Sequence, residues 1–221
     1  MNRKQVSIAL GLLVAGLLAG GLVAMAGPFR AKRWTKIPSI TIVSAEDDPR
    51  IGPVREAVDH WNRTFAELGT PFHLGVLTFV TGSVPDADIQ ALSNQVIDHT
   101  WWPTLPASLE RFPGDLIIVL SQAKVLSFGV NVGHRSIVAI KNDNALLTLP
   151  NILRNVVAHE LGHVVGLAHN EDATLLMCGR PASCRPDAFQ SDTPRFFPLS
   201  ADERNRLLAI YPKDWTPKAH D

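Results

Sequence analysis

The sequence predicts an α+β fold, and three observations support that prediction. The chain has 221 residues, a length that suits one globular domain or a small two-lobed one. From Ser39 onward, segments with the apolar pattern of strands are interspersed with segments of helical spacing. Hydrophobic residues make up 46% of the chain and charged residues 19%, which provides a sizeable core and excludes a mostly disordered protein.

Net charge and cysteine content narrow the class of protein further. Lysine and arginine together number 21, as do aspartate and glutamate, so the formal net charge is zero and the basic character of a nucleic-acid binder is missing. Two cysteines allow at most one bridge, which excludes a scaffold held by many disulfides. We therefore expect an ordinary hydrophobic core and no nucleic-acid partner.

Residues 1–26 are predicted to direct export. The basic pair Arg3 and Lys4 precedes an uncharged stretch at residues 6–26, and small residues at its end are typical of a signal-peptidase site. A stretch of this length also spans a bilayer, so the segment is either a cleaved signal or a membrane anchor. Both interpretations place the following domain outside the cytoplasm, as a secreted, periplasmic or membrane-tethered protein. Residues 27–39 form a basic, proline-containing linker.

One long helix and five strands are predicted after the linker. Apolar residues at helical spacing from Val54 to Leu68 indicate the helix, and Gly69 is expected to end it. Four strands are predicted at residues 40–44, 72–80, 115–120 and 136–140. A fifth, at the edge of the sheet, is predicted at Phe128, Gly129, Val130, Asn131 and Val132.

The residues that could carry chemistry cluster in one segment. His159 and His163 are four residues apart, so on a helix both imidazoles project from one face and can bind one metal ion. Glu160 directly follows the first histidine, which places a carboxylate beside a metal-bound water, where a general base is needed. Gly166 permits a positive φ, so the chain can leave the helix and bring back His169 as a third ligand.

Three protein ligands leave one position of a tetrahedral zinc site open, which is typical of a catalytic centre. The sequence therefore predicts Zn²⁺ bound by three histidines, with Glu160 as the catalytic base. An ordinary structural helix is the alternative. It would carry three histidines and a glutamate on an apolar surface without a metal to satisfy them, which is energetically costly.

The segment 159–169, followed eight residues later by Met177, resembles the long zinc motif and methionine turn of the metzincin zinc endopeptidases. It is most similar to the matrixin branch, which has a Leu–Met pair at this place, here Leu176 and Met177. The final helix, with a capping box that begins at Ser200, is also similar to that branch. The resemblance is strong over residues 149–178 and only topological before them.

The resemblance implies a zinc-dependent endopeptidase that hydrolyses peptide bonds of extracytoplasmic proteins, with zinc-activated water and Glu160 as general base. Met177 would form an apolar floor beneath the metal. The implied fold is a twisted mixed β-sheet with two long helices and a small irregular C-terminal lobe that ends in a helix. The catalytic domain is expected at residues 40–212, followed by a tail at 213–221. A peptide or protein substrate would lie extended along the edge strand, adding its backbone to the sheet.

The segment after the methionine departs from the matrixin pattern. Cys178 and Gly179 replace the Tyr–Pro pair that is common there, which changes the adjoining specificity pocket. In an oxidising compartment, a disulfide between Cys178 and Cys184 is favoured over a thiol that acts on the metal. A non-proteolytic, extracytoplasmic zinc-binding recognition module is the alternative function. Glu160 argues against it, because such a module needs no base.

Overall fold

The computed structural model describes residues 34–142, 149–179 and 195–218. The predicted export segment, most of the linker, Cys184 and the last three residues of the tail lie outside these ranges. Within them no helix is both long and apolar enough to cross a bilayer. The elements are, in chain order, β1 (Ile40–Ser44), α1 (Ile51–Leu68), β2 (Leu77–Thr81), α2 (Asp86–Ile97), α3 (Ala107–Glu110), β3 (Leu116–Leu120), β4 (Phe128–Val132), β5 (Arg135–Ile140), α4 (Pro150–Val164) and α5 (Ala201–Ile210).

The five strands form one mixed sheet in the order β2-β1-β3-β5-β4. Neighbouring strands are parallel except β4, which pairs antiparallel with β5 so that Val132 lies opposite Arg135. Gly133 has a φ of 57° in the two-residue turn between them, a conformation that glycine adopts without steric cost. β4 is therefore an edge strand, as the sequence predicts, and the fold is α+β with a mixed sheet.

The sheet is covered by helices on both faces. One face packs against α1, α4 and α5, in a core that includes Ile42, Leu116 and Val138. The other face packs against α2 and α3, in a second core that includes Ile117 and Ile137. Alternate residues of β3 enter opposite cores, which explains why this strand is apolar throughout.

Helix α1 supports α4. Its apolar stripe is fully buried at Val54, Trp61 and Phe65. The Trp61 indole N–H donates to the carbonyl of Ala158, 2.9 Å away in the second half of α4. Gly69, with a φ of 74°, ends α1 as predicted. The helix that carries the histidine motif therefore rests on α1 as well as on the sheet.

The structure corrects the sequence prediction at two places. The strand predicted at residues 72–80 is wrong in its first half, because β2 begins only at Leu77. The Asn62 side chain donates to the carbonyl of Leu74 and accepts from its N–H, so the backbone there is held outside the ladder. Helix α2 is not predicted by the sequence pattern; it buries only three side chains, which makes its apolar periodicity weak.

The C-terminal helix joins the main core. Ser200 caps α5: its Oγ accepts from the Glu203 N–H at 3.1 Å, and the Glu203 carboxylate accepts from the Ser200 N–H at 2.7 Å. Tyr211 directly follows the helix, and its buried ring stacks on Phe72 with centroids 3.8 Å apart. α5 therefore shares one apolar cluster with α1 and α4.

Candidate metal centre

Helix α4 carries His159 and His163 on one face, with ring centroids 4.8 Å apart. The helix ends at Val164, and Gly166 then adopts a φ of 108°, which residues with a side chain rarely take. This reversal brings His169 back to the helix, with its ring centroid 4.6 Å from that of His163. The structure thus brings together the three histidines that the sequence indicates as ligands.

The Nε2 atoms of these histidines converge. Nε2 of His169 lies 3.1 Å from that of His159 and 3.0 Å from that of His163. Nδ1 of His159 is 2.8 Å from the carbonyl oxygen of Leu176, and Nδ1 of His163 is 3.0 Å from that of Leu167. A carbonyl only accepts, so these Nδ1 atoms carry the proton. The Nε2 atoms of both rings are then unprotonated, and both lie next to Nε2 of His169.

This donor set fits a zinc ion. With zinc–nitrogen bonds of about 2.0–2.1 Å in a tetrahedral arrangement, ligand nitrogens lie about 3.3 Å apart, close to the separations found here. Within the described part of the chain, the metal-ligating group consists of the three histidines alone. The described residues therefore leave one tetrahedral position for another ligand.

Burial also keeps two of the ligands in the form that binds metal. It lowers the pKa of His163 to about 4, and the neighbouring His169 adds to this effect. Partial desolvation likewise lowers the pKa of His169, although this residue is exposed. Since only the neutral imidazole can bind a metal ion, both rings are ready to do so at neutral pH.

Glu160 lies on α4 next to the histidines but does not join their cluster. The residue is 8% exposed, and burial raises the pKa of its carboxyl to about 8, an effect partly offset by a hydrogen bond from the Gly129 N–H. A bound cation would favour the ionised carboxylate. The helix that carries two of the three converging imidazoles therefore also carries a buried carboxyl group.

Strand β4 packs directly on α4 at Glu160. A Cβ atom added to Gly129 would overlap the main-chain carbonyl of Glu160, so only glycine allows this close approach. The other residues predicted to line the substrate strand are also in β4, where Phe128, Val130 and Val132 are buried and Asn131 is half-buried. The edge of the sheet therefore runs past the metal centre.

Met177 is fully buried behind the histidine helix. A Cβ atom on Gly162 would overlap its Sδ, and a Cβ atom on Gly179 would overlap the ring of His169. The zinc motif by itself indicates no packing role for either glycine. A signal existed at Gly162, because a glycine inside an apolar helix costs helix stability and calls for a packing reason.

Cys178 is buried, and its segment forms a parallel bridge with Asn170, the residue after the third histidine. Its predicted partner, Cys184, lies outside the described residues. The disulfide stays a prediction.

Comparisons with known proteins give local and partial likenesses. No model of a known protein family matches the chain. A stretch of 56 residues is 43% identical to human matrix metalloproteinase-27; it covers 25% of this chain and spans only 9% of that protein's length.

Solved structures with partial likeness include two archaemetzincins and a bacterial metalloproteinase. The archaemetzincin from Methanopyrus kandleri is 16% identical, with a TM-score of 0.46 over 81% of this chain and 97% of its own. Metalloproteinase-II from Bacteroides fragilis is 16% identical, with a TM-score of 0.46 over 78% of this chain and 52% of its own. The archaemetzincin from Archaeoglobus fulgidus is 14% identical, with a TM-score of 0.42 over 76% of this chain and 99% of its own.

Proposed function

We propose that this protein is a zinc-dependent endopeptidase. The observation that carries the proposal is the convergence of three Nε2 atoms at helix α4, which also carries the buried Glu160. A structural zinc site is closed by four protein ligands, whereas this cluster supplies three. An open position next to a carboxyl group is what hydrolysis by an activated water requires.

The chain's own groups have distinct tasks in this reaction. A bound zinc ion would supply Lewis acidity, which polarises a carbonyl group and makes a coordinated water more acidic. Glu160 accepts the proton of the attacking water and returns it to the leaving amine. A hydrogen bond from the Gly129 N–H favours the ionised form of the Glu160 carboxyl, against the larger opposite effect of burial on its pKa. Hydrogen bonds from Nδ1 of His159 and His163 to carbonyls keep both rings turned to the metal.

The proposed substrate is an extended segment of a peptide or protein. Strand β4 ends the sheet and lies against α4 at Gly129, so a peptide that pairs with its outer edge would pass the metal centre. Backbone pairing of this kind binds extended chains of many sequences, and side-chain pockets then add preference.

The proposal extends to a matrixin-like metzincin that acts outside the cytoplasm. The motif at 159–169, with Met177 after it, and the 56-residue stretch that is 43% identical to matrix metalloproteinase-27 support the family. The uncharged segment at 6–26 supports export, with that segment either removed or kept as a membrane tether.

A peptide-library digest read by mass spectrometry, with and without a zinc chelator, tests the proposal. We expect cleavage that stops with chelator and returns when zinc is added. Glu160→Gln is the matched control, because it leaves all three ligands in place: zinc content should stay the same while cleavage falls by about 100-fold or more. Near wild-type cleavage in this variant, or in the presence of chelator, would overturn the proposal.

A further inference from the structure

The third ligand is held differently from the other two. His159 and His163 lie on a helix, and a carbonyl accepts from Nδ1 of each ring. His169 lies on a turn, is exposed, and its Nδ1 has no hydrogen-bond partner among the described residues. Its orientation must therefore come from the backbone that carries it and from Gly179 behind its ring.

Asn170, the next residue, is fixed at four points. Its N–H donates to the Met177 carbonyl at 2.9 Å, and its own carbonyl accepts from the Gly179 N–H at 3.0 Å. Its Oδ1 accepts from the Asp172 N–H at 2.8 Å, within the same loop. Its Nδ2 donates to Oε1 of Glu203 at 2.6 Å. Only this last bond reaches a separate element, helix α5.

Glu203 is well suited to act as an anchor. The residue is 8% exposed, and both carboxylate oxygens are in use: Oε2 accepts from the Ser200 N–H at 2.7 Å and Oε1 accepts from Asn170. The capping box accounts for Oε2 alone. One turn later on α5, Nε of Arg206 donates to the carbonyl of Gly166 at 2.8 Å. Helix α5 therefore contacts both ends of the turn at 166–170.

We infer that the hydrogen bond from Asn170 to Glu203 positions His169, so that helix α5 orients the third metal ligand from outside the centre. Glu203 is a positioning residue here, since it contacts neither the histidines nor the point where they converge. A charge-assisted bond to a buried carboxylate is strong and directional enough for this task. The inference rests on the metal site of the proposed function and not on peptide cleavage.

The test exchanges the two partners. Asn170→Asp places a carboxylate against Oε1 of Glu203. Glu203→Gln replaces one of the two accepting oxygens by an NH2 group, which then faces the donor of either Asn170 or Ser200. Each single variant should weaken zinc binding by about 10- to 100-fold, the usual effect of changing a group that orients a metal ligand. In the double variant the Gln amide donates to Asp and its carbonyl accepts from the Ser200 N–H, so zinc affinity should return close to that of the wild type.

Ser200→Ala is the matched control, because it removes the other half of the capping box and leaves the bond to Asn170 in place. It should lower the melting temperature without weakening zinc binding. The readouts are the zinc dissociation constant, by competition with a chelating dye, and the absorption spectrum of the Co²⁺ form, which reports ligand geometry.

Wild-type zinc affinity in both single variants, equal weakening in Ser200→Ala, or no recovery in the double variant would overturn the inference. The proposed function survives those results if the wild-type protein binds zinc and cleaves peptides. A wild-type protein that binds no zinc would overturn both.

Discussion

Three glycines stand at places in the metal centre where no side chain fits. Gly129 contacts the backbone of Glu160, Gly162 contacts Met177, and Gly179 lies behind the ring of His169. At each place the absence of Cβ lets one segment approach another more closely than any other residue would allow. The positions of Glu160, Met177 and His169 therefore depend on three glycines that take no part in the reaction.

Gly162→Ala separates this packing role from helix propensity. Replacing glycine by alanine inside a helix normally stabilises the helix by about 1 kcal/mol. Here the added methyl group overlaps the buried Met177 Sδ, so we expect the free energy of unfolding to fall by about 1–3 kcal/mol in urea titrations. In the control Gly52→Ala, on α1, the new Cβ has no atom within 4 Å, and stability should stay the same or rise by up to about 1 kcal/mol. Equal stabilisation in both variants would contradict the packing role.

His60 should give the protein a pH-dependent stability. Its ring stacks on Phe196 with centroids 4.1 Å apart, and burial, aided by the charge of Arg63, lowers the pKa of the imidazole to about 4. The unfolded chain takes up this proton at about pH 6.5 and the folded chain only at about pH 4, so stability is lost as the pH falls between these values.

His60→Phe preserves the ring stack but cannot take up a proton. We expect the free energy of unfolding of this variant to fall less between neutral and acidic pH than that of the wild type, by an amount on the order of 2 kcal/mol. The comparison is between unfolding free energies of wild type and variant at several pH values from about 7 to 4. Two curves that stay parallel over the whole range would show that His60 is not responsible.

At the scale of elements, the sequence predicts those helices and strands whose burial leaves an apolar pattern. It does not predict contacts between distant segments. The helix from Val54 to Leu68 and the strand at 115–120 lie close to their predicted positions, because burial on one or both faces leaves a clear apolar pattern. The prediction of a strand at 72–80 is wrong in its first half, because the Asn62 side chain on α1 binds the backbone of Leu74. The local sequence pattern gives no sign of that contact.

The candidate site divides in the same way. The spacing of His159, His163 and His169 is local, so the sequence alone indicates them as a group. The approach of Gly129 to Glu160 and the bond from Asn170 to Glu203 join segments far apart in the chain. Such contacts depend on strand order and helix packing, which the sequence pattern does not specify.

The α1–α4 pair should depend on its buried contact and not on its ion pair. Arg154 pairs with Glu56, whose side chain is 46% exposed, and exposed pairs contribute at most about 1 kcal/mol. Trp61 is fully buried and bonds to Ala158. Trp61→Phe removes the bond and leaves a cavity, so it should lower the free energy of unfolding by about 2 kcal/mol or more, against less than about 1 kcal/mol for Glu56→Gln. The reverse order in denaturant titrations would contradict this account.

At the scale of the whole molecule, the metal centre depends on both of the layers that contact α4, the sheet and the other helices. The sheet contributes the edge strand β4, and α1 and α5 pack in the same core as α4. The centre is thus formed by tertiary structure even though its ligands lie in a short stretch of sequence.

If the protein is exported as proposed, it reaches an oxidising space, and protein recovered from there should have Cys178 bridged to Cys184. The loop is short, so the bridge should add only about 2 kcal/mol to stability. Thiol labelling under denaturing conditions, before and after reduction, measures the bridge, and two reactive thiols without reductant would contradict it. Intact mass on the same sample shows whether the chain begins at Gly27 or keeps residues 6–26.

The contact of α5 with the turn at 166–170 has a consequence for biosynthesis. The ribosome makes both helix ligands and the third histidine before it makes Glu203 and Arg206, so an unfinished chain holds the ligands without the helix that orients one of them. Such a nascent chain would bind metal weakly and remain inactive. Under the proposed function, peptide cleavage would then arise only after α5 has been synthesised and has docked on the turn that carries His169.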